Sequence, residues 1–186
     1  MGLHRLGVCV FCGSSTGTHP QYIEIARQLG ALLAREDFEV IYGAGADGCM
    51  GALADGALAQ GGQVIGVAPP FLGSVEHRHP RLTRFEPVAD LATRKLRMLS
   101  LSAAAMVLPG GTGTLDEFLE VLTMKRLALV QHPLLVIDVA GFFRPLQSLL
   151  QHLIDTGFAG PEQMSLYQLV GDPADGVRAL RAALAL

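Results

Sequence analysis

The sequence predicts an α/β fold: a Rossmann-like, open, doubly wound parallel sheet flanked by helices, in a single domain over residues 1–186. Three observations carry that prediction. Short apolar runs alternate with stretches of helical periodicity, which is how strands buried on both faces and their crossover helices read. Gly-bearing loops follow three of those runs, as expected where a parallel strand turns into a helix. Half of the residues are hydrophobic, 17% are charged and 6% are aromatic, so the core is built mainly from Ala, Val, Ile and Leu. A chain of 186 residues fits one domain more readily than two.

Residues 6–12 (LGVCVFC) read as a buried strand that ends in Gly13-Ser14-Ser15-Thr16-Gly17. Pro20 opens a helix to about Glu36, with Ile23, Ala26, Leu29, Leu32 and Leu33 at helical spacing. A second strand covers residues 39–42 and runs into Gly43-Ala44-Gly45; a helix of small residues follows over 48–60 and stops at Gly61-Gly62. Residues 63–68 form a third strand, closed by Pro69-Pro70. Residues 71–88 read as loop with one short strand near 84–87. Asp90 is placed to N-cap a helix through Ser100. Residues 103–108 are a short buried strand, followed by Pro109-Gly110-Gly111-Thr112-Gly113 and a helix over 114–129. A strand at 134–138, a helix at 143–156, a short strand near 165–170 and a last helix from Pro173 complete the chain.

The formal net charge of −3 gives no electrostatic case for nucleic acid as a partner. A small anion must then be held by local groups rather than by a global field. The apolar stretches are broken by Ser100, Ser102, Pro109, Gln131, His132 and Asp138, so none reads as a membrane span, and no secretory leader is read at the start. Three cysteines make no disulfide framework. The predicted compartment is the reducing cytoplasm.

In such a sheet the ligand crevice lies beyond the carboxyl ends of the strands. The loop from Pro109 to Thr114 is the strongest candidate there. Gly110, Gly111 and Gly113 let the backbone turn sharply and let its amides approach a ligand. The following helix aims its unpaired N–H groups and positive dipole end at the same point, where a phosphate fits. Thr112 and Thr114 add hydroxyls. The plainer reading is an ordinary Gly-rich turn; no Gly-Lys-Ser/Thr follows, so it is not a P-loop. Glu117 lies one turn into the helix and faces whatever the loop holds, or closes a capping box with Thr114. Arg94 and Lys95 read either as a solvent face or, with Arg94 swung back to the same edge, as an anion clamp. Ser14 follows the first strand, where a fold of this kind makes an early phosphate or ribose contact.

Two spaced elements, Pro109–Glu117 (PGGTGTLDE, fitting PGGxGTxxE) and Arg94-Lys95 with Leu91 in place of a Met, make a specific pattern. With VCVFCGSSTG, IYGAGADGCMGALADGAL and VIGVAPPFL in order upstream, the chain resembles the "lonely guy" (LOG) family of cytokinin riboside 5′-monophosphate phosphoribohydrolases, long mislabelled lysine decarboxylases. The resemblance implies a homodimer that releases a free adenine-type base and ribose 5-phosphate, with no metal and no cofactor. It places the catalytic pair on Arg94 and Glu117. Substrate contacts fall on Glu76, Lys95, Gly110, Gly111, Thr112, Gly113, Thr114, Leu115, Asp116 and Thr123, with Ser14 and Gly45 at the neighbouring loops. The chain departs from the family pattern at Ala44 (a Gly), at Cys49 (a Leu) and at Met124-Lys125-Arg126 (Trp-x-Gln). In relatives that last region shapes the base pocket or the dimer contact.

Other features read more plainly. Cys9 and Cys12 sit three apart on a strand, point to opposite faces and belong to the core rather than to a redox or zinc site. His77 and His79 lack a third ligand at metal spacing; their loop reads as a mobile lid or a substrate edge. NAD is disfavoured because Gly13–Gly17 is not GxGxxG and no acidic residue ends the second strand. No lysine reads as a Schiff-base site. A non-catalytic nucleotide or cofactor carrier on the same fold is the rival reading.

Overall fold

The computed structural model describes residues 5–74 and 77–186. Its strands are β1 (Gly7–Phe11), β2 (Glu39–Tyr42), β3 (Val64–Ala68), β4 (Arg84–Pro87), β5 (Ala104–Val107), β6 (Leu134–Ile137) and β7 (Gln168–Val170). The helices are α1 (Gln21–Arg35), α2 (Gly48–Ala59), α3 (Leu91–Ser100), α4 (Thr112–Arg126), α5 (Arg144–Asp155) and α6 (Pro173–Ala183). Among the described residues the seven strands form one sheet in the order β4-β3-β2-β1-β5-β6-β7, and every pairing is parallel. The predicted fold class is the one observed.

Strand alternation sorts the core into two layers. On one face Val8, Val10, Val40, Tyr42 and Met106 pack under α1, α2 and α6 through Leu29, Leu33, Leu53, Val177 and Leu180. On the other, Cys9, Phe11, Ile41 and Val107 pack under α3, α4 and α5 through Met98, Leu99, Phe118, Leu122 and Leu150. Cys9 and Cys12 lie in opposite layers, as read from their spacing, and both thiols are free and buried. Between β3 and β4 the chain makes a short 3-10 turn at Pro70–Ser74 rather than an α-helix, and a single antiparallel bridge joins Gly45 to Arg78.

One boundary differs in a way that matters for the site. The sequence reading starts the helix after β5 at Thr114; α4 starts at Thr112, with Gly111 as N-cap. Thr114 is therefore the third helical residue, 4% exposed, and Glu117 stands in the second turn. The capping box is excluded, because that pairing needs Thr114 outside the helix. Gly111 and Gly113 carry no side-chain periodicity, so the earlier start does not show in the sequence pattern.

Helices α1 and α2 approach each other backbone to backbone. A Cβ on Gly30 would stand 2.0 Å from Leu53 O, and one on Gly56 would stand 2.0 Å from Arg27 O. Gly30→Ala must push the helices apart, so it is expected to destabilise the fold by about 1–3 kcal/mol. Urea unfolding reads this as a lower midpoint at unchanged slope; an unaltered midpoint would contradict the packing described.

Candidate active site

The strand order reverses at β1: the chain winds outward through β2, β3 and β4, then returns to place β5 against the other side of β1. The crevice of a doubly wound sheet opens at such a point, beyond the carboxyl ends of the two strands. Here the loops after β1 and β5 meet. Gly13 N donates to Pro109 O at 3.1 Å, and Met50 N, in the first turn of α2, donates to Gly13 O at 3.1 Å. Three strand-to-helix loops are thus tied together. Above them lies a cleft of about 240 Å³ lined by Cys12, Gly13, Ser14, Met50, Arg94, Gly111, Thr112, Gly113, Thr114 and Glu117.

The floor of the cleft is the start of α4. Leu115 N makes the first helical bond, to Gly111 O at 3.1 Å, so the amides of Thr112, Gly113 and Thr114 precede the helical ladder. They carry the positive end of a 15-residue helix. Gly110 is required by the protein itself: a Cβ there would come within 2.1 Å of Thr114 Oγ1 and 2.7 Å of Gly13 N. Gly111 and Gly113 are different. A Cβ on either would meet nothing within 4 Å. A Gly inside a helix costs about 0.5–1 kcal/mol relative to Ala, and no packing contact demands it at position 113. What the two glycines leave open is the cleft.

Arg94 enters the cleft from α3. Asp90 Oδ1 caps that helix by accepting from Thr93 N at 2.7 Å, and this bond holds the Asp90 carboxyl below its ordinary pKa. The cap predicted from sequence is present. The Arg94 guanidinium is held by two strand-end carbonyls: Nε donates to Val67 O and an Nη to Gly43 O, both at 3.1 Å. These bonds engage two of its five N–H donors and set the plane of the group. Gly43 makes room for it, since a Cβ there would fall 1.7 Å from the Nη atom. The next residue, Ala44, takes φ 70°, a conformation usually left to Gly. It is held there by His79 N donating to Ala44 O at 2.9 Å and by Tyr42 Oη donating to Gly45 O at 3.0 Å.

Glu117 is half-buried on the α4 side of the same cleft. The opposite charges of Glu117 and Arg94 both reach β1. Burial raises the Cys9 thiol most, Glu117 raises it further, and Arg94 acts against both. Cys12 is raised by burial, then by Cys49 and Glu117, again against Arg94. Neither thiol is available as a thiolate.

The remaining predicted residues are distributed around this centre. Gly110 lines a second cavity of about 280 Å³ with Gly13, Ser14 and Gly111, walled by Tyr22 and Phe142. Gly45 lines a third, of about 400 Å³, with Gly43, Ala44, Pro69, Phe85, His77 and Arg78. Lys95 is outside the cleft: its Nζ lies 2.8 Å from Asp116 Oδ2 and 2.7 Å from Glu120 Oε2. Burial alone would lower the Lys95 pKa, but the two carboxylates outweigh it and hold the ammonium above its ordinary value. Asp116 is likewise engaged in that ion pair. Leu115 packs on the core beneath α4. Thr123 is exposed, its hydroxyl donating to Leu119 O at 2.8 Å. Glu76 lies outside the described residues.

The loop carrying His77 and Arg78, which line the third cavity, is tied to its neighbours. Ala46 N donates to His77 O at 2.7 Å, and the loop is anchored by buried His79, whose Nε2 lies 3.3 Å from Asp55 Oδ1. Among the described residues no group of three His, Cys, Asp or Glu side chains gathers as for a metal ion. Cys12, Gly13 and Met50 line the cleft although the sequence reading did not nominate them. The sign for Met50 was present: it follows Gly43-Ala44-Gly45, the second of the Gly loops on the same edge.

Residues 50–180 match the family described as "possible lysine decarboxylase". A cytokinin riboside 5′-monophosphate phosphoribohydrolase from Rhodococcoides fascians is 37% identical over 176 residues, 94% of this chain and 89% of the relative. The protein of the same name from Arabidopsis thaliana, LOG7, is 37% identical over 154 residues, 83% of this chain and 71% of the relative. Among solved structures, the molybdenum cofactor binding protein of Rippkaea orientalis superposes with TM-score 0.77 at 17% identity, covering 98% of this chain and 99% of that one. The Moco carrier protein of Chlamydomonas reinhardtii gives TM-score 0.73 at 18% identity, with the same coverage. At those identities the structural likeness concerns the fold alone, whereas the sequence matches concern descent. On the matched span and the identity over most of its length, the chain belongs to the LOG family of cytokinin riboside 5′-monophosphate phosphoribohydrolases.

Proposed function

We propose that this protein hydrolyses the N-glycosidic bond of a purine nucleoside 5′-monophosphate, of the cytokinin riboside or adenosine kind, releasing free base and ribose 5-phosphate. The observation that carries the reading is one cleft shared by the amides at the start of α4, the Arg94 guanidinium and the Glu117 carboxylate. The printed names of relatives 37% identical to the chain support the same reaction.

The substrate phosphate sits on the amides of residues 112–114, with the hydroxyls of Ser14, Thr112 and Thr114 around it. That anchors the ribose above the cleft. The base extends past Arg94 into the cavity of about 400 Å³, whose apolar wall includes Pro69, Leu72 and Phe85, with Gly45 at its edge. As the C1′–N bond breaks, positive charge develops on the ribose, as in other glycoside cleavages. Glu117 stabilises that charge and orients or deprotonates the water that adds to C1′. Arg94, fixed by two carbonyls, positions the nucleotide and stabilises the departing base. Lys95 and Asp116 serve the site by bracing α3 on α4, which keeps the faces bearing Arg94 and Glu117 opposed. No step requires a metal or an organic cofactor.

The same reading includes a homodimer in a reducing cytoplasm. Leu91 and Leu96 on α3, and Leu119 on α4, are large apolar side chains left exposed, with Leu127 at the C-cap of α4; burying them against a second copy removes apolar surface from water. The three cysteines are unpaired, as in a reducing compartment. Among the described residues no helix is long and apolar enough to cross a membrane.

The test is release of free base from AMP and from N6-isopentenyl-AMP. Wild-type protein is expected to release base from at least one of them, and Glu117→Gln to lower that rate by about 10²-fold or more while still binding the nucleotide. Unchanged turnover in the variant would remove Glu117 from the mechanism. Binding of both nucleotides with no base released by the wild type would favour a carrier. Light scattering checks the assembly: a mass of two chains is expected, and a monomer at micromolar concentration would contradict it.

A further inference from the structure

The chain has only two lysines, Lys95 and Lys125, against twelve arginines. Their surroundings are opposite. Lys95 is clamped between the carboxylates of Asp116 and Glu120 and 16% exposed. Lys125, in the last turn of α4, has no carboxylate partner among the described residues. Its Nζ donates to one backbone carbonyl, His132 O, at 2.6 Å. His132 is itself tied down, with Nε2 on Ser102 O at 2.6 Å, so that acceptor is a fixed one.

Lys125 also lines a cavity of its own, about 240 Å³, between the strand starts of β6 and β7 and therefore on the edge of the sheet opposite the active cleft. Leu134, Leu135 and Leu166 form its apolar wall, and Gln131, Ser165 and Tyr167 offer hydrogen-bonding groups beside the amine. Partial burial with no compensating charge lowers the Lys125 pKa below the ordinary lysine value. A larger fraction of its amine is then neutral and nucleophilic near pH 7. The sequence reading found no such lysine, because Met124-Lys125-Arg126 looks like a solvated helix end until the segment 131–133 folds over it.

We propose that Lys125 is the carbonyl-reactive lysine of this protein, a modification site at which small aldehydes condense in the cavity between β6 and β7. The lone pair of Nζ attacks the aldehyde carbon and forms the C–N bond. The carbonyl π pair moves to oxygen, which takes a proton from nitrogen to give a carbinolamine. Loss of the hydroxyl with the remaining amine proton as water leaves the imine. No oxidant or reductant enters. The aldehyde this protein meets is the open-chain form of ribose 5-phosphate, an identification that rests on the proposed reaction; the chemistry of the lysine does not depend on it.

The experiment adds ribose 5-phosphate, and glycolaldehyde in parallel, to the intact protein with cyanoborohydride, whose hydride traps the imine as a stable secondary amine. Peptide mass mapping then follows the two lysines. Lys125 is expected to be labelled about tenfold or more faster than Lys95 with either aldehyde. Lys125→Arg keeps a donor for His132 O and should lose that label. Equal labelling of both lysines, or faster labelling of Lys95, overturns the proposal; this comparison is made within the wild-type protein and needs no variant to fold. Labelling of Lys125 by glycolaldehyde but not by ribose 5-phosphate overturns only the identity of the aldehyde. Because the aldehydes are supplied directly, failure of the base-release assay would leave the result readable.

Discussion

The pairing of β5 against β1 is the constraint on which the site depends. Residues that are almost a hundred positions apart lie side by side because Cys9 faces Ala105 and Phe11 faces Val107 in register. That register brings Gly13 to Pro109, joined by an amide-to-carbonyl bond, and it points α4 at the floor of the cleft. A slip of the pairing would separate the loop after β1 from the helix start and break up the cleft that Arg94 and Glu117 both line. The fully buried strands Gly7–Phe11 and Ala104–Val107 make such a slip costly, since residues 8–11 and 104–107 alternate between the two core layers.

Charge is handled differently at each basic side chain near the centre. Arg94 is fixed by neutral carbonyl oxygens, which orient its positive charge in the cleft it shares with Glu117. Lys95, the next residue, is neutralised by two carboxylates and works as a brace between helices. A guanidinium suits the first role because its planar N–H groups donate to two fixed carbonyls and still present a face to a ligand. The adjacent pair thus divides between a charge that lines the cleft and a charge that joins two helices, and the division follows from which residues of α4, β2 and β3 each side chain meets.

Much of this was legible in the sequence. The strand at Glu39–Tyr42, the Asp90 cap and the opposed faces of Cys9 and Cys12 follow from local pattern, which needs no tertiary information. The family pattern around Arg94 and Glu117 named the two charged groups that line the cleft. What pattern does not carry is partnership across the fold. Asp116 and Glu120 lie a helix away from Lys95 in sequence, so their pairing with it is invisible until α3 and α4 pack. The start of α4 at Thr112 was hidden because Gly residues have no side-chain periodicity to read. Ala44 carries a positive φ in a loop held by hydrogen bonds from Tyr42 and His79, which local pattern does not show.

The central claim is that the open backbone at the start of α4 holds the phosphate, and that Gly113 is there for the ligand rather than for the fold. The most direct measurement is the affinity of AMP for Gly113→Ala, in a Glu117→Gln background so that substrate is not consumed, alongside the stability of the same protein. About tenfold or greater loss of affinity is expected, with folding stability unchanged or raised by up to about 1 kcal/mol. Unchanged affinity, at any stability, would mean that the phosphate is not held where these amides point.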